Sequence, residues 1–124
     1  MTAHRIRVVL AEDQRMVLGA LAALLSLEED IEVVAQASDG TAALAMVREH
    51  RPHVLITDVE MPGTMDGLLL ARQNHTDWPL ITVMVASGQV IPGAGEMPEN
   101  SRFFKKPYDI RTIVAHIRER APAV

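Results

Sequence analysis

Five short apolar runs recur along this chain, and nearly all are followed by a segment with helical spacing. The runs are "IRVVLAED", "IEVVAQAS", "HVLITD", "PLITVMVAS" and "RFFK". In the first, Ile6 to Ala11 is interrupted only by Arg7, which leaves no polar face for solvent. A strand of that kind belongs in a sheet covered on both sides. The segments between keep a 3.6-residue period. Val17, Leu18, Leu21, Leu24 and Leu25 share one face of "QRMVLGALAALLSLEED", and Ile110, Ile113, Val114 and Ile117 one face of "YDIRTIVAHIRER". "DGTAALAMVREH" reads as a helix capped by Ser38 or Asp39 with Pro52 beyond its end, and "MDGLLLARQN" opens another. Such alternation implies right-handed βαβ crossovers and an α/β fold, a doubly wound five-stranded parallel sheet with helices on both faces.

A chain of 124 residues fits one domain over 1–124, able to bury about two-thirds of the surface its unfolded state exposes. No linker, repeat or low-complexity stretch divides it, and no effector domain is expected after the last helix. The formal charge of −4 argues against a nucleic-acid partner, because such binders carry a basic face. Lys105, Lys106, Arg111, Arg118 and Arg120 gather near the C-terminal end but are too few to make one. Without cysteine there is no disulfide or thiolate chemistry, and the five histidines lack zinc-ligand spacing. No signal peptide or membrane-length apolar run is visible, so a cytoplasmic location and no membrane partner are expected.

Ligand sites of open α/β sheets form outside the carboxyl ends of the strands. The first strand runs into Glu12 and Asp13, the third into Asp58, the fourth into Ser87, and the fifth into Lys105, Lys106 and Pro107. Taken singly, each has an ordinary explanation: Asp and Ser cap helices, and Lys is solvated. Jointly, carboxylates on one rim repel one another unless a cation offsets them. Oxygen ligands in small number suit Mg²⁺. A carboxylate can also be the nucleophile that forms an aspartyl-phosphate. Metal, nucleophile, hydroxyl and ammonium together supply the positioning and charge neutralisation that phosphoryl transfer requires.

"VVLAED", "VLITDVEMPGTMDG", "VMVASG" and "FFKKPY" resemble, in order, the four signature segments of the CheY-like response-regulator receiver domain. The resemblance covers about residues 5–120 and implies the flavodoxin-like strand order 2-1-3-4-5. It implies that Asp58 is the phospho-acceptor, Ser87 the switch hydroxyl, Lys106 the salt-bridge partner of the phosphoryl oxygens and Phe103 the switch aromatic. Mg²⁺ would be held by Asp13, Asp58 and the backbone carbonyl of Glu60, with Glu12 acting through a water. A cis Lys106–Pro107 bond is also implied. The Lys105 side chain is expected on the opposite face from Lys106, because strand side chains alternate. Glu60 and Gln89 stand where the family tunes its site, although Glu60 reads equally well as solvated surface. Thr64 is one residue more than the common turn has, and is expected to lengthen that turn without moving Asp58. Gly63 and Gly67 read as turn positions needing backbone freedom.

The implied function is a phospho-accepting switch of a two-component system or phosphorelay. Its donor would be a histidine kinase or histidine phosphotransfer protein, and its output would be partner binding or phosphoryl passing. It would be a switch rather than an enzyme, apart from slow self-dephosphorylation. A degenerate scaffold receiver is the alternative, opposed by the intact Asp13, Asp58, Ser87 and Lys106 set. An aspartate-nucleophile phosphohydrolase would need Asp-x-Asp where this chain has "DVE". An FMN-binding flavodoxin would need a phosphate loop where Glu12 and Asp13 would repel one.

One stretch breaks the alternation. Where a fourth crossover helix is due, between the fourth and fifth strands, the chain reads "QVIPGAGEMPENS". Pro92 and Pro98 each remove a helical donor, Gly93 and Gly95 lower propensity further, and no apolar face repeats. The helix is expected to be missing, or reduced to one turn around Ala94 to Met97, leaving a mobile loop. The family's usual dimerisation face includes that helix, so a monomer or weak dimer is expected.

Overall fold

The structure, a computed structural model, describes residues 5–93 and 95–120. Nine elements follow in chain order: β1 (Ile6–Ala11), α1 (Arg15–Ser26), β2 (Ile31–Ala37), α2 (Gly40–His50), β3 (Val54–Asp58), α3 (Gly67–Asp77), β4 (Thr82–Ser87), β5 (Ser101–Lys105) and α4 (Ile110–Arg120). All strand pairings are parallel and the order is β2-β1-β3-β4-β5, as the family resemblance implies. None of the described helices is long and apolar enough to cross a membrane.

Two-sided burial follows from the period-2 alternation of strand side chains. Val8, Leu10, Val54, Ile56, Met84, Ala86 and Phe104 point into one core, closed by Leu21, Ala22 and Leu25 of α1 and by Ile113, Val114 and Ile117 of α4. Val9, Ala11, Leu55, Val83 and Val85 point into the other, closed by Ala43 and Val47 of α2 and by Leu68, Leu70 and Ala71 of α3. Burying each large apolar side chain contributes about 1.5–3 kcal/mol, which fixes the register of the strands and so the positions of their ends. A bulge between Val8 and Val9 shifts the β1–β2 register by one residue, and β2, at the edge, absorbs it.

Caps set the helix starts. Asp39 accepts a hydrogen bond from the Ala42 amide at 2.7 Å to open α2, and Asp66 accepts one from Leu69 at 2.9 Å to open α3. Of the two capping candidates for α2, Asp39 is therefore the cap. α2 closes at Arg51 with φ +46, and the Arg51 guanidinium lies 5.1 Å from the Trp78 ring centroid.

Two element-level expectations change. Leu24 does not join the buried stripe of α1; it is 43% exposed, and Ala22 takes its place. The stripe that meets the sheet is 18, 21, 22, 25, one row over from the one the larger apolar residues suggest. β4 also starts at Thr82 rather than at Pro79: the Ile81 amide donates to the Trp78 carbonyl, closing a turn that leaves Leu80 in solvent.

Among the described residues no helix lies between β4 and β5. The expected single turn around Ala94 to Met97 begins at a position outside them. What they do show is a tight reversal. The Glu96 amide donates to the Gly93 carbonyl, the Gly93 amide donates back to the Glu96 carboxylate at 2.6 Å, and Gly95 has φ +87. Positive φ at the third position of a four-residue turn is where glycine costs nothing. Met97 packs against the α2/α3-side core in place of a helix.

Candidate functional site

The strand register brings the site together. Ala11 pairs with Thr57, Asp58 with Ala86 and Ser87 with Lys105, so β1, β3, β4 and β5 end at nearly one level. Residues just past those ends share a rim. Glu12, Asp13 and Asp58 each present a carboxylate oxygen, and these oxygens lie within 4.8 Å of one another. Glu12 and Asp58 are buried, at 4% and 6% exposure, whereas Asp13 is exposed.

Like charges so close and so poorly hydrated repel by several kcal/mol; at 4 Å and an effective dielectric of 20 a pair costs about 4 kcal/mol. Among the described residues, Lys106 supplies the cation on the rim, with Nζ 2.9 Å from Glu12 Oε1 and 3.2 Å from Asp58 Oδ1. It does not balance three carboxylates. Burial pushes the Asp58 carboxyl up to about 6, Glu12 adds to this, Lys106 opposes it, and Glu60 contributes a smaller push upward. Burial alone would lower the Lys106 ammonium, but its carboxylate partners outweigh that and raise it. Burial also raises the Tyr108 phenol at the same rim. Asp58 Oδ1 is buried yet accepts no well-aligned hydrogen bond. A hard divalent cation fits this donor set, because it takes oxygen ligands and would neutralise the excess charge.

Met61 and Gly67 help to hold the segment between β3 and α3. Met61 is buried in the α2/α3-side core, and Gly67 packs on the end of β3. Gly63 has φ +88, a conformation that needs glycine, so the expectation of backbone freedom holds there. At Gly67 the reason is contact: a Cβ would lie 2.0 Å from the Asp58 carbonyl oxygen. Thr64 is exposed in this turn and leaves Asp58 at the strand end.

Ser87 is fully buried and its hydroxyl is committed elsewhere than to Asp58 or Lys106. Its Oγ lies 2.9 and 2.7 Å from the two carboxylate oxygens of Glu60, and it accepts from the Gln89 and Val90 amides at 3.1 and 2.9 Å. Glu60 is thus not plain solvated surface. Lys105 is exposed, and Lys106 alone of the pair reaches the carboxylates. The Lys106–Pro107 bond is cis. Phe103 stands apart from the charged rim, half-buried in the α2/α3-side core and paired in register with Val85. The structure therefore gathers Glu12, Asp13, Asp58 and Lys106, links Ser87 to Glu60, and leaves Phe103 in the α2/α3-side core. Sequence reasoning placed Glu60 at a tuning position but did not foresee its bond to Ser87, and it missed Tyr108. For Glu60 the signal was only its place two residues past Asp58, since its partner is 27 residues away.

Comparison with known proteins narrows what such a rim belongs to. The chain is 50% identical over 58 residues to the transcriptional regulatory protein DesR of Bacillus subtilis, covering 47% of this chain and 29% of that one. It spans about a third of the length of the curated relatives it matches. Among solved structures, a DNA-binding response regulator of the LuxR family from Staphylococcus aureus superposes with a TM-score of 0.82 at 28% identity, over 93% of this chain and 98% of that one. The signal receiver domain of the response regulator NarL from Mycobacterium tuberculosis gives 0.82 at 28%, over 94% and 95%. The family model for the response regulator receiver domain matches residues 8–118, nearly the whole of the described fold. Fold, rim chemistry and family model agree, and the chain belongs to the response regulator receiver domain family.

Proposed function

We propose that Asp58 accepts a phosphoryl group from a histidine kinase or histidine phosphotransfer protein, and that this domain works as a switch rather than as an enzyme acting on a separate substrate. The observation that carries the reading is Asp58 itself. It is a buried carboxylate at the end of β3, with a cation 3.2 Å from an Oδ1 that accepts no well-aligned hydrogen bond. In the transfer, a carboxylate oxygen attacks phosphorus, the P–N bond to the donor imidazole breaks, and an acyl phosphate forms. Asp13, Asp58 and the Glu60 main-chain carbonyl, with Glu12 through a water, would hold Mg²⁺, which when bound neutralises phosphoryl and carboxylate charge. Lys106 moves its Nζ toward the phosphoryl oxygens, and the Ser87 hydroxyl donates to one of them. Phe103, half-buried in the α2/α3-side core, is the aromatic that changes position with the switch. Attack of water on phosphorus resets the switch and returns inorganic phosphate.

The electrostatics favour protein partners over nucleic acid for these residues, and the altered β4–β5 crossover favours a monomer or weak dimer. Incubation with acetyl phosphate and Mg²⁺ should add one phosphoryl mass to the wild type and none to Asp58→Asn. An unmodified wild type would sink this reading and favour a scaffold that binds partners without phosphorylation.

A further inference from the structure

A serine hydroxyl has one proton to give and two lone pairs to receive. At Ser87 all three are in use. The proton goes to the Glu60 carboxylate at 2.7–2.9 Å, and the lone pairs accept the Gln89 and Val90 amides. The side chain is fully buried, so solvent offers no alternative partner. Glu60 is an ionisable acceptor, and hydrogen bonds to such groups are about twice as strong as neutral ones. The bond also joins two segments far apart in sequence, the loop after β3 and the loop after β4. The hydroxyl that would read the phosphoryl group is therefore already bound to an anion belonging to the protein.

We propose that Glu60 is an internal stand-in for the phosphoryl group, a latch that holds Ser87 and the start of the β4–β5 crossover and sets the threshold for switching. The proposal rests on the reading of Asp58 and Ser87 given above. A phosphoryl group on Asp58 brings new negative charge beside the Glu60 carboxylate, and like charges so close repel. Displacement of Glu60 frees the Ser87 proton for a phosphoryl oxygen. Gln89 and Val90 hang on the same Oγ, so the backbone that begins the crossover follows. Glu60 acts through Ser87 and is a positioning residue.

Two measurements test the latch. In the unphosphorylated protein, hydrogen exchange of the Gln89 and Val90 amides should quicken in Glu60→Ala. It should stay near the wild-type rate in Glu60→Gln, which keeps an acceptor. Ser87→Ala should quicken it too, and the double variant no further. Independent, additive effects would overturn the latch. Separately, beryllofluoride affinity with Mg²⁺, read by fluorine NMR, should tighten roughly tenfold in Glu60→Ala, the scale of one charge-assisted hydrogen bond. In the Ser87→Ala background the same change should tighten it no more than about threefold, because only charge repulsion is then relieved. Equal gains in both backgrounds, or no gain, reject the latch while leaving the phosphoryl reading standing. A wild type that binds no beryllofluoride overturns that reading, and the threshold role with it.

Discussion

At neutral pH the ionised Asp58 carboxylate is held where burial and Glu12 both disfavour its charge, with Lys106 offsetting part of the cost. Its folded value, about 6, lies above the ordinary 3.8, so the native state binds the proton more tightly than the unfolded one. Stability contributed by this group is then greatest below about pH 4 and falls as pH rises toward about 6. A difference of that size corresponds to about 3 kcal/mol at most, and the rim's partial hydration reduces it. In chelator-treated buffer at pH 7.5, Asp58→Asn should be more stable than wild type by about 1–3 kcal/mol in urea titrations. The difference should vanish near pH 4; a difference independent of pH would contradict the electrostatic account. None of this is visible in "VLITDVE", where Asp58 reads as readily as a helix cap. The cost arises because Glu12, 46 positions earlier in the chain, ends its strand beside it.

Two glycines separate propensity from contact at the level of whole elements. Gly19 sits exposed inside α1, and a Cβ added there would meet nothing within 4 Å, so only backbone entropy counts against it. Gly19→Ala should stabilise the protein by roughly 0.5–1 kcal/mol. Gly67 is also the first residue of a helix, yet a Cβ there would meet the Asp58 carbonyl oxygen at 2.0 Å. Gly67→Ala should destabilise by about 2 kcal/mol or more, the scale of overpacking, and should also weaken beryllofluoride binding by shifting the end of β3. Thermal melts of the two variants in opposite directions would bear this out; two stabilising substitutions would not. The β4–β5 crossover makes the complementary point. Pro92, Pro98, Gly93 and Gly95 are enough to explain why no helix forms in its described part, because loss of donors and of propensity is local chemistry. The Gly93–Glu96 reversal that stands there instead depends on a carboxylate reaching back to an amide, which composition alone does not specify.

For the whole molecule, the excess charge on the rim couples cation binding to folding. Anything that binds the native rim and not the unfolded chain stabilises by RT ln(1 + [L]/Kd). Addition of Mg²⁺ at pH 7.5 should therefore raise the melting temperature, and Asp13→Asn should remove most of that rise; equal shifts in both proteins would place the cation elsewhere. The sequence alone determined the layer architecture, because apolar runs without a polar face, joined by amphipathic helices at all but the β4–β5 crossover, need cover on both faces of the sheet. It also placed Glu12, Asp13, Asp58, Ser87 and Lys106 at strand ends, since each stands at the polar end of an apolar run. It did not determine which row of α1 faces the sheet, where Ala22 rather than Leu24 is buried, because side-chain size says less than the angle at which a helix docks. Nor did it decide how the rim's charges pair. Only the tertiary structure set Lys106 between Glu12 and Asp58 and gave the Ser87 proton to Glu60, because those bonds depend on Å-scale distances between strand ends far apart along the chain.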